Sequence, residues 1–420
     1  MRLKLLTLSL LIALAVHAGE PAWDDLPEVK PASKDWPWWR GPTRNDIAAS
    51  AKDPPVKWSP TENIAWKAEV PGRGHGTPCI WGDKIFLPTA DDKAQVQYLL
   101  CFDRKTGEKL WQTEVHKGGF MKMHPKNSHA SSTPACDGER VFIPFMVQNG
   151  MWLTALDFSG KILWQKKLGA FVSMHGYGSS PVIYRSAVIV LADNVKGSYV
   201  TAVHRKTGEI LWRTERPDYY LGNYSSPNVG TLAGREQLVI PGPNKVISYE
   251  PLTGKVLWSC DGPSESATCS VTYGGDLVYC NAGYPKRNLL CIRGDGSGDV
   301  TKTHIVWRKD GGNGDVPALL LSDGLLYQQV DEGRIVSFDA AKGDIVWENK
   351  LKGVFSSSPV LADGKIYISN EAGNMYVLKA GRAFEVLAEN NMAEGCYATP
   401  VILGNRIFLR TFKSLWCVGK

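Results

Sequence analysis

RKTGEILW, residues 205–212, repeats almost letter for letter as RKTGEKLW at 104–111. The same phrase, a Gly-containing turn followed by an apolar pair and Trp, returns as FSGKILW (158–164), LTGKVLW (252–258) and AKGDIVW (341–347). Looser copies are NIAW (63–66), THIVW (303–307) and AGRAFEVL (380–387), where Leu387 replaces the Trp. The landmarks at 66, 111, 164, 212, 258, 307, 347 and 387 lie 40 to 53 residues apart, the period of a propeller blade.

A second landmark falls between each pair, a Ser/Thr-Pro step opening an apolar strand. It reads GTPCIWGDKIFL (76–87), SSTPACDGERVFI (131–143), SSPVIYRSAVIVL (179–191), SSPNV (225–229), SSSPVLADGKIYI (356–368) and ATPVILGNRIFL (398–409). TCSVTYGGDLVYC (268–280) and VPALLLSDGLLYQ (316–328) are degenerate copies that complete eight. Each is followed by a turn, a second strand, another turn and a third strand such as YLLCFD, WLTALD or IVSFD. Alternating apolar residues mark half-buried antiparallel strands, and the Gly of each TG step suits a tight hairpin. The unit is therefore a four-stranded meander with its Trp on the outer strand. One such sheet cannot cover both faces, whereas eight arranged radially cover each other. The all-β reading is an eight-bladed β-propeller over 61–420. The C-terminal unit has only three strands, and NIAWKAEV (63–70) is a fourth strand without a unit, so their pairing is expected to close the ring and protect both edges.

Composition agrees with one globular, repeat-built domain. Hydrophobic content of 43% and charged content of 21% argue against disorder, and 42 Gly, 25 Pro and 15 Trp favour turns and flat side chains over helices. The first 18 residues read as an export signal, with Arg2 and Lys4, an apolar run from Leu5 to Val16, and Val16-His17-Ala18 for cleavage. That run is too short to span a bilayer. Gly19 stands where a lipoprotein would carry its acylated Cys, so a soluble, monomeric, periplasmic or secreted protein is expected. Removing Arg2 and Lys4 takes the net charge from +6 to +4, and no basic stripe with interleaved aromatics suggests nucleic acid. Nine cysteines is an odd number, so at least one cannot pair within the chain. Most sit in apolar strand-like runs, and Cys280 with Cys291 is the one plausible local pair.

The repeat resembles the pyrroloquinoline-quinone (PQQ) repeat, a propeller shared by quinoprotein alcohol dehydrogenases and by the B subunit of the outer-membrane β-barrel assembly machine. DWPWWRGPTRNDIA (35–48), within a leader at 19–60, resembles a segment preceding the propeller in exported PQQ-like proteins. The dehydrogenase likeness would imply PQQ with a divalent cation and oxidation of alcohols or sugars. This chain has no adjacent Cys pair and no C-x-x-C-H, so PQQ is not favoured. The likeness to the assembly subunit implies a cofactor-free scaffold in the cell envelope, with an envelope protein or a polar small molecule such as a carbohydrate as partner. Repeat type speaks for fold, not for activity.

Site candidates come from topology. Inner strands open at the Ser/Thr-Pro steps, so residues just before them converge on one mouth of the channel. His75, His129, His175, Tyr224, Glu265, Asp315 and Tyr397 are the candidates there. Their imidazoles and carboxylates suit a polar ligand, a divalent metal held by His75, His129 and His175, or acid–base work; equally, they suit plain filling of the channel. The loops at 90–97 and 281–288 are expected to rim this face, where Lys286 and Arg287 suit an anion. Trp36, Trp38 and Trp39 with Arg40 suit either a sugar platform or, the favoured reading, a pin holding the leader to the propeller's side.

Overall fold

The computed structural model describes residues 23–419 except 196, 219–221, 312, 313 and 315. The signal segment at 1–18 and the candidate Asp315 lie outside the described residues. The described residues form 33 strands in eight sheets, with no helix and so none long and apolar enough to cross a membrane. Each sheet is a four-stranded antiparallel meander, and the eight make a β-propeller. The fourth sheet gains a two-residue strand, Gly298–Asp299, parallel to its outer strand Val256–Asp261. Ring closure is as the chain ends suggested: Ile64–Glu69 pairs antiparallel with Ser414–Val418, Trp66 opposite Cys417.

The core is divided among the contacts between blades. One cluster joins Phe86 and Leu99 of blade 1 to Val141 and Ile143 of blade 2, and another joins Ile189 of blade 3 to Leu238 of blade 4. The repeated Trp explains much of this. Trp111 Nε1 donates to Phe158 O at 3.0 Å, Trp212 Nε1 to Pro251 O at 3.1 Å and Trp307 Nε1 to Ala340 O at 3.0 Å, each in the turn of the next blade. In that turn Gly160, Gly254 or Gly343 lies under the indole with positive φ. A side chain there would meet the ring, so TG and W are two halves of one joint. Blade 5 lacks the TG turn, and Trp258 of blade 4 turns inward instead, donating to Gln237 Oε1 at 2.7 Å.

All nine cysteines are buried and free. Cys280 and Cys291 do not pair, contrary to the sequence expectation. Tyr279 stands opposite Cys291 and Cys280 opposite Leu290, so the two thiols point to opposite faces of one sheet and enter different core clusters.

The leader also departs from expectation. It lies across the hub, and residues 36–52 reach every blade near its innermost strand. Trp36 pairs with Ile80, and Pro37 O accepts from Cys136 N at 2.8 Å. Arg44 donates to Ile183 O and Val229 O at 2.6 and 3.3 Å. Arg40 donates to Val271 O and Leu319 O at 2.8 and 2.7 Å. Ala48 N and Lys52 N complete the circuit on Leu361 O and Gly404 O. Arg40 is 1% exposed, and its Nε meets the equally buried Asp46 at 2.5 Å. A hub lined by eight strand flanks exposes peptide carbonyls, and two arginines with rigid forked donors satisfy four of them and a hydroxyl, that of Thr272. The channel is thereby sealed at one end.

Candidate functional site

At the other end the channel opens into a funnel of about 640 Å³, within the range of small-molecule sites. Its neck is a belt of hydroxyls from the Ser/Thr-Pro steps. Thr77 N donates to Thr133 Oγ1, Thr133 N to Ser180 Oγ, Ser180 N to Ser226 Oγ and Ser226 N to Ser270 Oγ, at 2.8 to 3.1 Å. Ala318 N donates to Ser358 Oγ and Ser358 N to Thr399 Oγ1, both at 3.0 Å. Ala318 is the one position of the belt without a hydroxyl. The Ser/Thr of each step is thus explained: it passes a hydrogen bond from blade to blade where strands are too crowded to pair. Trp39, half-buried, lines the same cavity from the leader.

Of the seven sequence candidates, His75, His175, Tyr224 and Tyr397 line this funnel. His75 and Tyr397 meet edge to face at 4.7 Å, and Phe412 closes the cluster 5.0 Å from Tyr397. Burial, reinforced by the Arg410 and Arg73 charges, pushes the His75 imidazole down to about 3, so it is neutral at physiological pH. His175 Nδ1 and Ser173 Oγ lie 3.1 and 3.2 Å from the Tyr224 hydroxyl. Burial raises the Tyr224 and Tyr397 phenols, which stay protonated.

His129 is not brought into the funnel. Its Nδ1 meets Asp92 Oδ1 at 2.9 Å, its Nε2 meets Met121 O at 3.0 Å, and its ring stacks on Phe120 at 3.9 Å. With both nitrogens taken, it is wall. Glu265 is half-buried and outside the lining, although its neighbour Ser266 is part of it. Arg287 faces Glu332 in a bidentate pair at 2.6 and 2.9 Å rather than an open anion site.

Sequence reasoning did not single out His124, Lys126, Asn127 or Tyr284, all in the lining, although it placed the 281–288 loop that carries Tyr284 on this face. His124 lies 5.6 Å from His175, ring to ring, yet stands farther from its Ser/Thr-Pro step than His129 does. Distance along the chain misleads in a long connection that doubles back: Asn127 N donates to His124 O, and Asn127 Nδ2 to His175 O at 2.7 Å. Among the described residues of the lining, Lys126 alone carries a permanent charge, and Glu371 pairs with it at 2.9 and 3.1 Å. An apolar fringe of Val172, Met174, Val316, Val354 and Phe412, 39 to 56% exposed, stands on the loops of this face.

Among the described residues no three His, Cys, Asp or Glu side chains are arranged to hold a metal ion. A bound PQQ with its cation needs such a donor set and cations for the quinone's carboxylates. The described lining supplies one lysine, already paired, so the residues present do not fit that group.

The family model described as outer membrane protein assembly factor BamB matches residues 95–279 and 297–385. The BamB of Bordetella pertussis is 23% identical over 351 residues, 80% of this chain and 81% of that protein. Among solved structures, BamB from Moraxella catarrhalis superposes with a TM-score of 0.61 at 14% identity, covering 84% of this chain and 96% of that one. A europium-containing methanol dehydrogenase gives 0.64 at 13% identity, with 91% of each chain covered. At such identities the solved structures speak for the fold alone. The family match covers well over half of the sequence, and the chain belongs to the PQQ-like propeller family described as outer membrane protein assembly factor BamB.

Proposed function

We propose that this protein is an exported, cell-envelope binding scaffold whose open funnel face holds a polar partner. The observation that carries this reading is the one-ended funnel. The leader seals the hub from behind, the hydroxyl belt fixes its neck, and an apolar fringe surrounds its mouth. A rigid wheel with one accessible cup is suited to recognition, and the relatives named as assembly factors favour a partner in the envelope. Among the described residues no metal-ligand set lies in the lining, and the His175–Tyr224 hydrogen bond is equally suited to holding a ligand hydroxyl.

Fractionation combined with site-specific photo-crosslinking tests the reading. A crosslinker at Met174, on the funnel mouth, is expected to capture an envelope component, while one at the outer-strand residue Leu163 captures none. Recovery of the protein in the cytosol, or equal capture from both positions, refutes it.

A further inference from the structure

We propose that the funnel receives the uncharged end of a saccharide chain, an inference that rests on the binding-scaffold reading and names its ligand. Three features converge on that chemistry. The first is the belt. Thr133, Ser180, Ser226, Ser270, Ser358 and Thr399 each accept one backbone N–H through the hydroxyl oxygen. None of these hydroxyls has a hydrogen-bond acceptor among the described residues, so each retains a proton to donate and a second lone pair to accept. A ring of groups that both donate and accept matches a ligand whose periphery does the same, and sugar hydroxyls have that property.

The second feature is flat aromatic surface beside this belt. Trp39 rises from the leader, and Tyr224, Tyr284 and Tyr397 stand in the lining. The ring C–H groups of a pyranose are weakly positive and pack on the negative face of an aromatic ring, while its hydroxyls point sideways. The third is charge. Lys126, the one permanent charge in the described lining, is paired with Glu371, and the His75 imidazole is uncharged, so a charged ligand finds no unpaired permanent counter-charge. A sealed floor then favours a chain end over a chain passing through.

Titration calorimetry of the mature protein decides it, using neutral gluco-, galacto- and N-acetylhexosamine oligosaccharides and their uronate counterparts. At least one neutral series is expected to bind, with its uronate counterpart about tenfold or more weaker. Trp39→Ala is expected to weaken binding about tenfold. Should that variant fail to fold, Ser226→Ala and Tyr224→Phe serve, each expected to weaken binding several-fold, and Leu163→Ala is the unaffected control. No binding of any neutral series at about 10 mM, or tighter binding of uronates, overturns the proposal. If Met174 still crosslinks to an envelope protein while no saccharide binds, this inference falls and the scaffold reading stands. Saccharide binding by a protein found in the cytosol keeps the ligand and removes the envelope scaffold.

Discussion

The indole of Trp212 lies over Gly254 of the following blade, and its Nε1 donates to Pro251 O three residues earlier at 3.1 Å. This one relation, repeated around the wheel, joins two motifs some 40 residues apart in sequence. The indole supplies apolar area and one directed donor, and the turn supplies an orphan carbonyl and a backbone that can approach closely. Each such joint thereby ties one blade to the turn of the next.

Substituting the glycine should therefore cost more than its backbone conformation alone explains. Gly208 has φ of +76°, and a Cβ there would meet the Trp164 ring at 2.9 Å. Gly364 has φ of +71° with nothing within 4 Å. Gly364→Ala is expected to cost about 1 kcal/mol, the strain of the left-handed region. Gly208→Ala should cost about 2 to 4 kcal/mol, because the indole must move as well. Urea denaturation midpoints compare the two, and equal losses would mean that the close approach of ring and turn adds nothing to stability.

The wheel was legible because period and strand alternation are local and repeat eight times. The site was legible only where position along the chain equals position in space. His75 stands two residues before Thr77 in a short connection and reaches the funnel; His129 stands in a long one and turns into the wall. The leader was misplaced for a different reason. Trp36 and Arg40 have no periodic neighbours to say which surface they bury against, and the answer depends on carbonyls from strands hundreds of residues away.

Arg40 offers the sharpest test of that seal. Arg40→Met leaves Asp46 buried without its cation and strips donors from Val271 O and Leu319 O. The expected loss is about 3 to 5 kcal/mol, with early proteolytic release of the leader. Adding Asp46→Leu should recover part of it, since the stranded charge is then gone. A loss under about 1 kcal/mol for the single variant would mean that the leader contributes little to closing the hub.

The nine thiols give a chemical check on the fold. Burial raises Cys101 and Cys291 to about 12 and Cys260 and Cys417 to about 11, so little thiolate exists at pH 8. Ellman's reagent is expected to react negligibly with the native protein and with all nine thiols after denaturation without reductant. Seven reactive thiols in the denatured state would reveal a disulfide and contradict the opposed faces of Cys280 and Cys291.

Acid should weaken the wheel before its carboxylates titrate. His75 is held down at about 3 by burial and the nearby arginines, and His116, packed against Phe145 and Trp152, at about 4 by burial. In the unfolded chain both return to about 6.5. Between these values the unfolded state binds more protons than the folded one, so stability is full above pH 6.5 and falls as pH drops toward 4. The slope is about 1 kcal/mol per pH unit for each histidine once the unfolded form is protonated. His116→Phe removes one such group while keeping an aromatic ring in place. Denaturation midpoints measured from pH 7.5 to 4.5 should therefore fall less steeply in that variant than in the parent. Parallel curves would show that His116 takes up its proton equally well in both states, which its burial forbids.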